Sequence, residues 1–248
     1  MSEKQIEKHY ARKPVKPVFF TIRNDSVNLF CATTGSDTLP PLLLIHGAPG
    51  AWYSGIGILD DPELQKRFHI IAVDRPGYHY SRFKKKKKAV TSIETQATVI
   101  HEALRLNRSR KKGVVYGTSY GVPIAAKMAV KYPAEFYPDQ EKFWWFHKYS
   151  RGLIVRLVMP RFINAATDEK FSHVEELRKM LPDWDRIDIP VTVLQGTDDY
   201  IVSPENFEFA KEKFKNKPAH FILIQGAGHL VRRSHPELIR DVLMKLSN

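Results

Sequence analysis

The chain has 248 residues, enough for one large α/β domain or at most two small ones. An apolar fraction of 43% and four Trp suffice for a core, and no run reaches the roughly eighteen uncharged apolar residues of a membrane span. One cysteine, Cys31, excludes an internal disulfide; it is expected as a small buried residue in a strand, and it fits a reducing, cytoplasmic setting. The 39 basic and 27 acidic residues give a net charge of +12, which raises the question of an anionic partner.

In chain order, Met1 to Val18 is charged and has no apolar h-region, which predicts no secretory leader. Residues 1–16 read as a polar, partly ordered lead-in. Val18 to Arg23 and Val27 to Thr33 alternate, with the turn pair Asn24-Asp25 between them, and predict an antiparallel hairpin at a sheet edge. After Pro40-Pro41, Leu42 to Ile45 is continuously apolar, the pattern of a strand buried on both faces. It runs into His46-Gly47-Ala48-Pro49-Gly50, a tight loop at a strand's C-terminal end, where open α/β sheets bind ligands. His46 follows the strand directly and is read as bracing this loop rather than as a base. Phe68 to Val73 is a second buried strand, and Asp74 and Arg75 in the Asp74-Arg75-Pro76-Gly77-Tyr78 loop are read as tying it to its neighbours. The basic run Lys84 to Lys88 has no interleaved aromatics and accompanies no nucleic-acid-binding signature, so a solvated loop is expected and no nucleic-acid partner. Ser92 to Leu106 has helical spacing, with Ser92 as N-cap.

Gly113 to Tyr116 is the next strand, and Gly117-Thr118-Ser119-Tyr120-Gly121 joins it to a helical run, Val122 to Lys131. G-x-S-x-G carries meaning in this strand–turn–helix setting. The serine Oγ is raised at a sharp turn, and the glycines let strand and helix backbones approach without Cβ atoms between them. The N–H of Tyr120, near the helix start, can hydrogen-bond developing negative charge on a substrate oxygen, and that of Ala48 would join it. Residues 134–186 then break the strand–helix alternation. They are rich in aromatics (Phe143, Trp144, Trp145, Phe146, Trp184), with a helix expected over Phe171 to Leu181, and read as a helical lid. Val191 to Gln195 is a strand ending at Gly196-Thr197-Asp198-Asp199. Phe207 to Phe214 is a helix, Phe221 to Gln225 the last strand, ending at Gly226-Ala227-Gly228-His229, and Pro236 to Leu246 an amphipathic helix.

Three of these strands therefore end in loops bearing a hydroxyl, a carboxyl (Asp198 or Asp199) and an imidazole. Parallel strands put such loops on one edge of the sheet. A serine needs a histidine to take its proton, and the histidine needs a carboxylate to fix its tautomer and steady its charge. On these pieces and their order, Ser…Asp…His, the chain resembles the serine-nucleophile α/β-hydrolase family. The matching segments are His46 to Gly50, Asp74 to Tyr78, Gly117 to Gly121, Gly196 to Asp199 and Gly226 to His229.

The resemblance implies a mostly parallel, doubly wound α/β sheet, with core residues 1–133 and 187–248 and the lid at 134–186. It implies a nucleophile at Ser119, a base at His229 and oxyanion donors at the backbone N–H groups of Ala48 and Tyr120. The family's acid lies three residues after the glycine and before an apolar pair, which selects Asp199. Two features depart from the pattern. No apolar strand follows the nucleophile helix directly, so either Leu153 to Met159 substitutes for it or the sheet closes differently. His79 stands where a glycine is more common. The function expected is hydrolysis of a small or medium carboxylic ester through an acyl-enzyme; thioesters, lactones and C–C bonds beside a carbonyl stay open. The alternative is a non-catalytic protein of this fold that binds a ligand or partner. No His/Cys/Asp cluster has ligand spacing, so no metal or other cofactor is implied.

Overall fold

The structure, a computed structural model, describes residues 1–23, 27–83, 90–109, 111–131, 161–187, 189–203 and 205–246. Its centre is a sheet of six strands: β1 (Val18–Arg23), β2 (Val27–Thr34), β3 (Pro41–Ile45), β4 (His69–Val73), the two-residue β5 (Arg82–Phe83) and β6 (Val114–Gly117). The order is β1-β2-β4-β3-β6, with β5 paired to β2. β1 and β2 form the expected antiparallel hairpin at the edge, and β2 is also antiparallel to β4. β3 is parallel to both β4 and β6, in registers Leu43↔Ile71 and Leu43↔Val115.

The continuous apolar runs are buried as their pattern predicts, because successive side chains point to opposite faces and both faces are covered. Leu43, Ile45, Ile71 and Val73 pack on one side with buried residues of α2 (Ile93–His101), α3 (Gly121–Val130) and α4 (Arg161–Trp184). Leu42, Leu44, Ile70 and Ala72 pack on the other with Trp52, Leu59 and Leu64 from the β3–β4 connection, and with the N-terminal and C-terminal helices. The N-terminal helix, α1 (Glu3–Tyr10), corrects the reading of residues 1–16 as lead-in. Ser2 and Gln5 form a reciprocal capping box, and Tyr10 is buried against the core. The Ser-x-x-Gln spacing was the available signal.

The C-terminal part is built from β7 (Val191–Gly196), α5 (Glu205–Phe214), β8 (Ala219–Ile224) and α6 (Pro236–Lys245). β7 and β8 are parallel and form their own two-stranded sheet, with a separate core of Trp184, Ile187, Val191, Val193, Phe207 and Phe214. Among the described residues β6 pairs only with β3, and β7 only with β8, so the expected single sheet is divided between β6 and β7. Asn24-Asp25, Lys84 to Lys88, residues 134–160 of the expected lid and Leu153 to Met159 lie outside the described residues. Among the described residues no helix is long and apolar enough to cross a membrane.

Candidate active site

The turn after β6 has the local geometry its glycines imply. A Cβ on Gly117 would lie 2.6 Å from the Gly121 carbonyl oxygen, and one on Gly121 only 2.3 Å from that of Ile45. Between them Ser119 takes φ +52°, in the left-handed region. An L-residue held there costs ~1–2 kcal/mol, so the surrounding packing must impose the turn. Tyr120 is the N-cap of α3, and its side chain is buried.

The loop after β3 lies directly against this turn. A Cβ on Gly47 would meet the Ser119 Cβ at 2.9 Å and its Oγ at 3.5 Å. His46 is buried and doubly engaged. Its Nε2 accepts from the Arg75 N–H at 3.0 Å, which leaves Nδ1–H to donate to the Gly47 carbonyl at 2.6 Å. Burial, and then the nearby Arg75 cation, hold this imidazole well below the usual histidine range. A neutral ring committed at both nitrogens braces the loop, as its position after the strand suggested. Asp74 likewise ties loops together, accepting from the N–H groups of Trp52 at 2.8 Å and Tyr80 at 3.1 Å. His79, the residue standing where glycine is more common, takes φ +41°, a left-handed conformation that explains the preference.

The loops after β7 and β8 emerge at one end of a parallel pair, which brings Asp199 to His229. The imidazole Nδ1 lies 2.9 Å from Asp199 Oδ2. The other carboxylate oxygen accepts from the N–H groups of Ile201 and Val202, each at 2.9 Å. Burial alone would raise the Asp199 pKa, but the His229 hydrogen bond and these two amides outweigh it and hold the group below the usual carboxylate range. Asp198 is exposed and bonds its neighbour, accepting from the Thr197 hydroxyl at 3.0 Å.

Ser119, Asp199 and His229 line one cavity of about 1490 Å³ together with Ala48 and Tyr120. Its walls include Val122, Leu177, Val193 and Leu243, and it extends along β6 and β7 where the sheet is divided. Beside it lies a buried cluster that the sequence reading missed. Arg75, wholly buried, donates through both terminal nitrogens to Glu169 of α4, at 2.6 and 3.0 Å. Glu169 also accepts from the Tyr78 hydroxyl at 2.5 Å and Gln96 Nε2 at 2.9 Å. Burial opposes the charge on Arg75, but Glu169 overrides this and keeps the guanidinium firmly protonated. Arg75 was legible as a loop tie; its partner, 94 positions away in a stretch read as an insertion, was not. Among the described residues no group of His, Cys, Asp and Glu side chains could hold a metal ion.

The family model for the alpha/beta hydrolase fold matches residues 40–137. Lipase 3 of Moraxella sp. (strain TA144) is 27% identical, with the match covering 77% of this chain and 71% of that protein. Epoxide hydrolase 1 of Caenorhabditis elegans is 31% identical over 45% of this chain, a match that spans 27% of that protein. Among solved structures, a membrane phospholipase A described as a bacterial virulence factor superposes with a TM-score of 0.71 at 18% identity, covering 98% of this chain and 88% of the other. The sheet order, the glycine-flanked serine turn and these likenesses agree: the chain has the α/β-hydrolase fold.

Proposed function

We propose that this protein is a serine hydrolase that cleaves small or medium carboxylic esters through an acyl-enzyme. Ser119 Oγ attacks the ester carbonyl as His229 removes its proton. The N–H groups of Ala48 and Tyr120 hold the oxyanion, and Asp199 keeps the imidazole oriented and stabilises its charge. Collapse of the tetrahedral intermediate expels the alcohol, which takes the proton from His229. Water, activated by the same imidazole, then releases the acid.

The observation that carries this reading is the 2.9 Å contact between His229 and a carboxylate anchored by two amides, on the wall of the cavity that Ser119 also lines. The apolar walls favour an acyl chain. We assign the described part of residues 134–186, helix α4, to one of those walls through Ala166, His173 and Leu177. The relatives include both a lipase and an epoxide hydrolase, and a serine, rather than a carboxylate, at position 119 supports an ester over an epoxide.

A fluorophosphonate probe tests the reading directly. Wild type is expected to be labelled and Ser119→Ala is not, and p-nitrophenyl esters of rising chain length should be turned over by wild type alone. A folded wild type that neither labels nor hydrolyses any of these esters would leave the non-catalytic binder as the better account.

A further inference from the structure

We infer that Arg75, clamped by Glu169, is a positioning residue that aims both backbone donors of the oxyanion pocket. The inference rests on the ester-hydrolase reading above and goes further, because it assigns a role to a charge pair outside the triad. A carbonyl and the following N–H are opposite ends of one planar trans peptide, so fixing the oxygen fixes the direction of the N–H. The oxygen of the Gly47–Ala48 peptide is held twice, by Arg75 Nη2 at 3.2 Å and by His46 Nδ1 at 2.6 Å. Arg75 also fixes the second brace, since its own N–H donates to His46 Nε2 at 3.0 Å.

The same cation reaches the other donor residue. The guanidinium carbon lies 4.8 Å from the centre of the Tyr120 ring, within range of a cation–π contact. One side chain thus touches the peptide that carries the Ala48 N–H, through its Gly47 oxygen, and the ring of Tyr120. A charged donor on the Gly47 oxygen also polarises that peptide and makes the Ala48 N–H a stronger donor. Glu169 supplies the constraint. Its fork-to-fork pairing with Arg75, together with the Gln96 Oε1 acceptor at 2.8 Å, fixes the plane of the guanidinium. A lysine could supply the charge but not the plane.

The test is steady-state hydrolysis of p-nitrophenyl butyrate, together with the rate of fluorophosphonate labelling, on wild type and two variants. The first variant replaces the pair with apolar side chains, Arg75→Met with Glu169→Leu, leaving no lone buried charge and so keeping the fold within reach. The second is Arg75→Lys. Both are expected to lose kcat by ~10–10²-fold, since small misplacements of catalytic groups cost on that scale. KM should hold nearly constant, and labelling should slow in parallel because the phosphonyl oxygen occupies the same pocket. Wild-type kcat in the folded double variant would overturn the inference. Should the double variant not fold, unchanged kcat in Arg75→Lys would overturn it equally. A wild type inert to both reagents would bring down the hydrolase reading and this inference with it, whereas an active wild type with equally active variants brings down the inference alone.

Discussion

Asp198 and Asp199 are adjacent in sequence and opposite in surroundings. Asp199 is buried, accepts two backbone amides and meets His229; Asp198 is exposed, and its carboxylate accepts from the Thr197 hydroxyl. On the proposed mechanism, Asp199→Asn lowers kcat by ~10³–10⁴, because an amide no longer selects the working tautomer of the histidine. Asp198→Asn leaves kcat at the wild-type level, and paired ester assays decide between them. The residues by themselves left Asp198 and Asp199 both open, and it was the resemblance, through the spacing in Gly196-Thr197-Asp198-Asp199, that selected Asp199. The turn that buries one and exposes the other is set by contacts with the β8 loop, far away in sequence. Asp74 gives a second residue-level expectation. Burial lifts its carboxyl from 3.8 to about 7, against the pull of the Trp52 and Tyr80 amides. The fold therefore favours the protonated form. The contribution of Asp74 to stability is complete below the unfolded value and is lost as pH rises through about 7, a difference on the order of 2–4 kcal/mol. Urea midpoints at acidic and mildly alkaline pH should converge for Asp74→Asn relative to wild type, since the variant has no charge to bury.

Where each element lies follows from simple periodicities. Leu42 to Ile45 and Phe68 to Val73 were legible as doubly buried strands because each holds four consecutive apolar side chains, the pattern of a strand covered on both faces. The serine turn was legible because its two glycines mark the point where β6, α3 and the end of β3 meet. That meeting yields a sharp expectation. A methyl on Gly121 would stand 2.3 Å from a backbone oxygen with nowhere to retreat, so Gly121→Ala should lose ~3 kcal/mol or more of stability. Gly57, in the short helix Ile56–Leu59, has nothing within 4 Å of such a methyl. Gly57→Ala should gain ~0.5–1 kcal/mol, and denaturant unfolding of both reads the contrast. Less legible was α4. Its buried residues Ala165, Ala166, Leu177 and Met180 follow helical spacing, yet no local signal says that the carboxylate of Glu169 turns inward. A buried acid is identified by its partners, and here they come from one distant loop, through Arg75 and Tyr78, and from Gln96 of α2.

For the whole molecule, the sequence carried the order of elements better than their lateral connection. Strand existence is a local property; whether β7 docks beside β6 depends on what lies between them, and apolar pattern says nothing about that. The opposite flank has a consequence for how the protein behaves in solution. β1 is the outermost strand, paired with β2, and it shows Val18, Phe19 and Phe20 to water at 57%, 48% and 40% exposure. An outer strand of this kind is a template for another copy's outer strand. Pro14, Lys16 and Pro17 precede it, Arg23 ends it, and a net charge of +12 pushes copies apart. That guard acts over roughly 10 Å at 0.1 M salt and only about 3 Å at 1 M. Concentrated brine should therefore promote self-association: light scattering should report a growing particle for wild type and an unchanged one for Phe20→Lys. A purification that relies on high salt to keep this protein dispersed would work against its own aim.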